Sequence, residues 1–179
     1  TTTSSGAQSA WTTSSTTSDT SPNAAFSAEA ATAGVNELIS PVFAIPSGAG
    51  QLTFRNSFNL EAGSTTGYDG GVLEIKIGAG SFTDILTAGG SFVTNGYNRT
   101  ISGSYSNPLT NRQAWSGNST NFITTTVNLP AAAAGQNQYY QPARKTCGNT
   151  RDCHSANYNT TTYWHTGFGG SATGTDTDH

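Results

Sequence analysis

Alternating apolar and polar residues from Val35 onward predict a succession of short β-strands. The clearest segment is QLTFRNSFNLE, residues 51–61, in which every second residue falls on one face of a strand. That face carries Leu52, Phe54, Phe58 and Leu60, with Asn56 as its polar member. In FITTTVNLP, one side of the strand carries Ile123, Thr125, Val127 and Leu129. Both segments are typical of strands that have one buried face.

The segment YDGGVLEIKI, residues 68–77, predicts another strand that begins directly after an acid and two glycines. Its inward positions are Leu73, Ile75 and Ile77, and its outward positions are Glu74 and Lys76. We expect Glu74 to be solvated or paired with a neighbouring strand. We also expect this strand to pair antiparallel with residues 51–61 through the long connection AGSTTGYDGG.

Strands recur at roughly 8 to 12-residue spacing, which is typical of an antiparallel sandwich or barrel. The one helix-favouring run, AAAA at residues 131–134, is long enough for at most one turn. At 179 residues the chain fits one domain. We predict a Ser/Thr-rich N-terminal arm over residues 1–22 and a single all-β domain over residues 23–179. Trp11 argues against a pure linker, because an indole usually needs a surface to pack on.

The composition makes several partners unlikely. Only 9% of the residues are charged and the net charge is −3, so the chain offers no basic face for nucleic acid or for an acidic membrane surface. No run of about 20 apolar residues predicts a membrane span. A chain rich in Thr, Ser, Asn and Gly resembles secreted β-proteins. We therefore expect an extracellular or cell-surface location, with any signal peptide removed before Thr1.

The two cysteines, Cys147 and Cys153, lie five residues apart in a polar stretch. This spacing favours a small loop closed by a disulfide in an oxidising compartment. A zinc site that adds His154 and His165 has suitable ligand atoms without a familiar spacing.

Acidic residues suggest two kinds of site. A hydrolase needs two carboxyl groups that converge in a cleft, and the acids near the best-defined strands are Glu61, Asp69, Glu74 and Asp84. A calcium site is the alternative, because Glu61 ends one predicted strand and Asp69 precedes the next. The simplest interpretation of Asp69, Gly70 and Gly71 is a turn, with glycine at positive φ. A turn and a calcium site are compatible.

Several motifs carry a resemblance to a known family. They are LISPVFAIPSGAGQLTFRNSFNLE, YDGGVLEIKIGAGSFTDI, RQAWSG and FITTTVNLPAAAAGQN. Over residues 35–137 the chain resembles the jelly-roll modules of bacterial secreted proteins related to the cleaved-adhesin and MAM-like domains. The resemblance implies a jelly-roll β-sandwich, and in such modules acids in the corresponding loops are commonly metal ligands. After Asn137 the sequence departs from the family pattern, so residues of the family's C-terminal strands are not carried over.

Aromatic residues and sequons complete the candidate sites. A sugar platform usually combines an exposed aromatic ring with polar side chains, and the pair Tyr139 and Tyr140 is one candidate. The other aromatic candidates are Trp115, Tyr97 and Tyr105, for which a core position is the alternative. Possible glycosylation sites are Asn98, Asn118 and Asn159.

We therefore expect a non-catalytic extracellular module with a structural or adhesive role. The N-terminal arm could add a strand to a neighbouring copy and form a homopolymer. The alternative is a carbohydrate-binding module attached to a secreted hydrolase or protease, with surface glycans as its partners.

Overall fold

A computed structural model of the protein describes residues 1–6, 8–28, 33–147 and 162–165, with 137–147 and 162–165 described by their backbone. The described residues contain one short 3-10 helix, Ala131–Ala133, which confirms the single turn expected there. Across the described ranges, no helix has the length and apolar character needed to cross a membrane. The strands in chain order are β1 (Thr2–Gly6), β2 (Thr12–Ser14), β3 (Ala24–Ser27), β4 (Gly34–Leu38), β5 (Phe43–Ala44), β6 (Gln51–Phe58), β7 (Thr66–Gly67), β8 (Gly70–Ile77), β9 (Thr83–Asp84), β10 (Ser91–Thr94), β11 (Arg99–Ile101), β12 (Gln113–Ala114), β13 (Ile123–Asn128), β14 (Asn137–Cys147) and β15 (Thr162–His165).

These strands form three sheets. Sheet A has the order β1-β4-β14-β8-β9, with β5 also paired to β14, and sheet B has the order β10-β13-β6-β15-β3-β2. The small sheet C has the order β12-β11-β7, in which β7 and β11 are parallel. Every pair within sheets A and B is antiparallel. The predicted all-β, sandwich-like fold is confirmed.

The main hydrophobic core lies between sheets A and B. Its members come from β6, β8 and β13 among other segments, and Trp115 is its largest fully buried side chain. The predicted inner face of residues 51–61 is confirmed, because Leu52, Phe54, Phe58 and Leu60 are all buried. Asn56 is buried as well, and its Oδ1 accepts a hydrogen bond from Thr125 Oγ1 at 3.0 Å.

The predicted pairing of residues 51–61 with residues 68–77 is wrong. β6 lies between β13 and β15 in sheet B, whereas β8 lies between β14 and β9 in sheet A. The connection between the two strands crosses from one sheet to the other, so β6 and β8 face each other across the core.

A second layer covers the other face of β8. Val72, Ile101, Leu109 and Ala114 form a separate buried cluster that joins β8 to sheet C and its loops. As a result, all six residues from Gly70 to Ile75 are buried. Glu74 is only 5% exposed, so the prediction that it is solvated is wrong. The alternative prediction was a paired Glu74, and Glu74 does form an ion pair, with Arg112.

Gly70 is needed for close packing. Neither Gly70 nor Gly71 has a positive φ, so the expected positive-φ turn is wrong. A Cβ atom at Gly70 would lie 2.6 Å from Cδ1 of Ile101 and 3.0 Å from Cβ of Ala114. A Cβ atom at Gly71 would meet nothing within 4 Å. Sheet C can therefore approach β8 closely only because residue 70 has no side chain.

The N-terminal arm packs against the rest of the chain. β1 pairs with β4 and β2 pairs with β3, while Trp11 is buried in the main core. The loop after β2 is held by Asp19, whose Oδ1 accepts a hydrogen bond from Nε of Arg55 at 2.8 Å. Both arm strands thus pair within one chain, and polymerisation through the arm stays a prediction.

We expect Gly70→Ala to destabilise the fold by about 1–3 kcal/mol, because Ile101 and Ala114 are fully packed and cannot easily move aside. Gly71→Ala is the matched control, and it should be neutral or slightly stabilising because the space is open. The measurement is the free energy of unfolding in urea. Equal effects of the two substitutions would contradict the packing role assigned to Gly70.

Candidate functional site

The structure brings the backbones of Glu61 and Asp69 together at the ends of the β6–β8 connection. The carbonyl oxygen of Glu61 accepts hydrogen bonds from the backbone N–H groups of Tyr68 at 2.9 Å and Asp69 at 3.1 Å. Ser116 Oγ donates to the carbonyl oxygen of Asp69 at 2.6 Å. Asp69 itself is 3% exposed. The predicted proximity of the two acids is therefore found, in a loop closed by main-chain hydrogen bonds.

Calcium binding by Glu61 and Asp69 stays a prediction. In the described part of the chain, no group of three or more His, Cys, Asp or Glu side chains is arranged to hold a metal ion. The carbonyl oxygens of both residues already accept hydrogen bonds from protein donors. Calcium usually takes six to eight oxygen ligands. Two acidic residues alone would therefore not complete a calcium site.

A more fully defined polar cluster lies on the covered face of β8. Glu74 of β8 stands directly opposite Asp84 of β9 in the strand register. Arg112 bridges the two carboxylates, with Nη1 2.7 Å from Oε1 of Glu74 and Nη2 2.8 Å from Oδ2 of Asp84. Burial would lower the pKa of Arg112, but the hydrogen bonds to Asp84 and Glu74 and the negative charges of these two residues together outweigh this effect and raise it. The guanidinium therefore remains charged between two acids.

The loop that carries Arg112 is fixed by its own hydrogen bonds. Ile101 N–H donates to the carbonyl oxygen of Arg112 at 2.9 Å, which aligns this residue beside β11. Asn107 is 3% exposed, and its Nδ2 donates to the carbonyl oxygen of Tyr68 at 2.7 Å. Its Oδ1 accepts a hydrogen bond from Leu109 N–H at 2.8 Å. Arg112 is thus presented to β8 and β9 by a loop anchored at several points.

Tyr97 connects this cluster to the main core. Its ring makes an edge-to-face contact with Trp115, at a centroid separation of 4.7 Å. Its hydroxyl accepts a hydrogen bond from Leu73 N–H at 2.9 Å and lies 3.1 Å from both Leu73 O and Asp84 Oδ2. Burial, and secondly the negative charge of Asp84, raises the pKa of Tyr97 well above its ordinary value. The phenol therefore stays protonated and donates its one proton within this network.

The Arg112 cluster lies in an open cleft of about 560 Å³. We call this the Arg112 cleft, and it is lined by Glu37, Ile39, Glu74, Phe82, Thr83, Asp84, Thr87 and Arg112. A cavity of about 380 Å³ adjoins it and shares Asp84, Thr87 and Arg112 with it. Both volumes fall in the range of small-molecule sites, about 300–1,000 Å³.

The aromatic and cysteine residues are further sites that the sequence suggested. Trp115 is 1% exposed in the main core, so the core alternative is right for it. Tyr139 and Tyr140 lie on β14, in register with Lys76 and Ile75. Cys147 ends β14, whereas Cys153, His154 and Asn159 lie outside the described residues. The disulfide therefore stays a prediction.

The two described sequons differ in their hydrogen bonds. Asn98 pairs with the backbone of Ser116 twice, since its Nδ2 donates to Ser116 O at 3.0 Å and its Oδ1 accepts from Ser116 N–H at 2.9 Å. Asn118 is exposed, and its Oδ1 accepts a hydrogen bond from Thr120 N–H at 2.6 Å. Asn98 thus has a structural role, and glycosylation of either residue stays a prediction.

The chain matches no family model, no curated protein and no solved structure.

The alternating pattern of β8 does not single out Arg112. The sequence nevertheless contained one sign that Glu74 is covered, because the face of β8 that carries Glu74 also carries Gly70 and Val72. A small residue and an apolar residue on a supposedly solvated face indicate that another layer covers it. A covered acid then needs a cation, and the chain contains only seven Lys and Arg residues.

We expect Arg112→Met to destabilise the fold by about 3 kcal/mol, because it removes the cation that bridges two facing carboxylates. This value is the low end for a buried pair, since the Arg112 side chain is 28% exposed. The double variant Arg112→Met with Asp84→Asn should recover part of the loss, because one of the two negative charges is gone. Urea unfolding of both variants tests this. No recovery in the double variant would contradict the charge explanation.

We also expect alkaline pH to weaken the fold through Tyr97. Because folding raises the pKa of Tyr97, its contribution is complete below the unfolded pKa of about 10 and is lost progressively above that value. In Tyr97→Phe this part of the pH dependence should disappear, although its stability at neutral pH should be lower by about 1–3 kcal/mol because Leu73 N–H loses its acceptor. The measurement is the free energy of unfolding from pH 8 to pH 11. An unchanged slope in the variant would count against the assignment.

Proposed function

We propose that this chain is a non-catalytic extracellular module with a structural or adhesive role, and that it binds an uncharged glycan in the Arg112 cleft. The proposal retains the jelly-roll arrangement and the family resemblance expected from the sequence. The observation that carries it is a fixed, charged hydrogen-bonding cluster at the surface of an open cleft of about 560 Å³.

The donors and acceptors of the cleft suit a polyhydroxylated ligand. A guanidinium has five N–H donors. Two N–H groups of Arg112 donate hydrogen bonds to the carboxylates of Glu74 and Asp84. The other three have no protein partner in the described part of the chain. Sugar hydroxyls can accept from these donors and donate to carboxylate oxygens. The arrangement is held in place before a ligand arrives, which lowers the entropic cost of binding.

The apolar and electrostatic features of the cleft narrow the ligand class further. The ring of Phe82 lies at the cleft and is half-buried, so it offers an apolar surface to the C–H face of a sugar. Glu37, Glu74 and Asp84 contribute carboxylates to the lining of the cleft, and Arg112 contributes a guanidinium. Carboxylates in the lining repel the carboxylate groups of acidic polysaccharides. A neutral glycan is therefore the better match.

The predicted sugar platform lies on a strand next to the cleft. β14, which carries Tyr139 and Tyr140, runs between β4 and β8, and these two strands supply Glu37 and Glu74 to the cleft. The proposed non-catalytic role is supported by the use of Glu74 and Asp84 as partners of one guanidinium. A carbohydrate-binding module attached to a secreted hydrolase or protease would use the same site.

We expect Phe82→Ala and Thr87→Ala each to weaken glycan binding by about five- to tenfold, because each removes one contact worth about 1 kcal/mol. Both residues lie outside the ion-pair network, so the fold should be retained. Thr17→Ala is the control, since Thr17 is an exposed residue of the N-terminal arm. The probes are neutral polysaccharides (cellulose, xylan, mannan and galactan) and acidic ones (alginate and hyaluronan), measured by affinity electrophoresis and calorimetry. Absence of binding to every neutral polysaccharide would overturn the proposal.

A further inference from the structure

Three neighbouring strands of sheet A share one register. β4 lies between β1 and β14 and is antiparallel to both. Leu38 pairs with Thr2 on one side and with Ala143 on the other, and Gly34 likewise pairs with Gly6 and Cys147. β1 and β14 therefore run in the same direction. It follows that Thr1 lies at one end of this three-strand unit and Cys147 lies at the opposite end.

We propose that β1, β4 and β14 form a mechanical clamp that bears tension applied between Thr1 and Cys147. Such tension pulls β1 and β14 in opposite directions along their own axes. The hydrogen bonds of an antiparallel ladder lie perpendicular to the strands, so this geometry loads all of them at once in shear. The clamp is independent of the proposed glycan site, and it would allow an adhesive module to hold under load.

The β1–β4 interface should yield first. β14 is paired on both sides, by β4 and β8, whereas in the described sheet β1 is paired by β4 alone. At its outer end, the Thr1 amino group donates to Ile39 O at 3.0 Å and Ile39 N–H donates to Thr1 O at 2.8 Å. Thr3 Oγ1 adds a hydrogen bond of 2.5 Å to Oε2 of Glu37. These contacts all resist sliding of β1 along β4.

The extent of the first rupture follows from the next anchored residues. Gln8 and Trp11 are buried, at 7% and 6% exposure, and are not part of the β1 ladder. Separation of β1 should therefore release the chain up to these two residues. At about 3.5 Å per extended residue, this corresponds to roughly 25–35 Å of contour length.

Single-molecule force measurements with two attachment geometries test the clamp. In the first, the handles are placed on the N-terminus and on Cys147 of a Cys153→Ser variant. In the second, a Cys147→Ser, Cys153→Ser variant carries its handle at Pro41→Cys, an exposed position just beyond β4 and close to Thr1. That geometry separates β1 from β4 one residue pair at a time. We expect a rupture force several-fold higher in the first geometry, and equal forces would overturn the proposal.

A matched pair of proline substitutions tests which hydrogen bonds carry the load. Thr1 and Ile39 exchange both of their backbone hydrogen bonds, and in an antiparallel ladder such pairs alternate, so Thr3–Glu37 and Ser5–Val35 are the next hydrogen-bonded pairs. The N–H group of Ser5 is therefore used by β4, whereas that of Ser4 faces the edge of the sheet. Ser5→Pro removes a ladder hydrogen bond and Ser4→Pro does not.

We expect Ser5→Pro to lower the rupture force between Thr1 and Cys147 by roughly a third, because one of three hydrogen-bonded pairs is weakened. Ser4→Pro should leave the force unchanged. Circular dichroism checks that both variants fold. If the Ser5→Pro variant does not fold, the comparison of rupture forces in the two attachment geometries still tests the clamp. Equal effects of the two prolines would overturn the clamp.

Discussion

Burial of β8 on both faces is the constraint on which the rest of the structure depends. Leu73 and Ile75 face the core between sheets A and B, while Val72 packs under sheet C. A strand covered on both sides cannot place a charged residue in water, so Glu74 needs a counter-ion within the protein. Arg112 meets this need, and it does so from the layer that creates the burial. The Arg112 cluster is therefore a direct consequence of the packing of sheet C on β8.

The polar cluster also makes the layers mutually dependent. Asp84 lies at the edge of sheet A, Arg112 precedes a strand of sheet C, and Tyr97 packs on Trp115 of the main core. Removal of one member leaves another buried group without its partner, which costs more than the hydrogen bond itself. A polar network in which each buried group has its partner favours a single arrangement of these side chains. This explains how an open cleft can hold its donors and acceptors in fixed positions without a bound ligand.

Sequence patterning predicted which residues share a face, and it could not predict what covers that face. The inner positions of residues 51–61 followed directly from a period of two, because successive side chains of a strand point to opposite faces and large apolar side chains such as Leu52 and Phe54 take the buried face. The partner strands did not follow, since β6 pairs with β13 and β15, which are distant along the chain. The same limitation applied to Glu74. Its alternation with Lys76 indicated an outward direction, while its environment depended on a loop about 40 residues away.

Three arginines of the described residues, Arg55, Arg99 and Arg112, each connect separate segments of the fold. Arg55 holds the N-terminal arm through Asp19, with an Nη2–Oδ1 distance of 2.6 Å, and Arg112 joins sheet C to sheet A. Arg99 donates to the carbonyl oxygens of Gly63 and Ser116, which closes the loop that ends at Asp69. In each case a guanidinium connects segments that are distant along the chain. In a chain with few charges, these three arginines therefore act as cross-links between segments that are far apart in sequence.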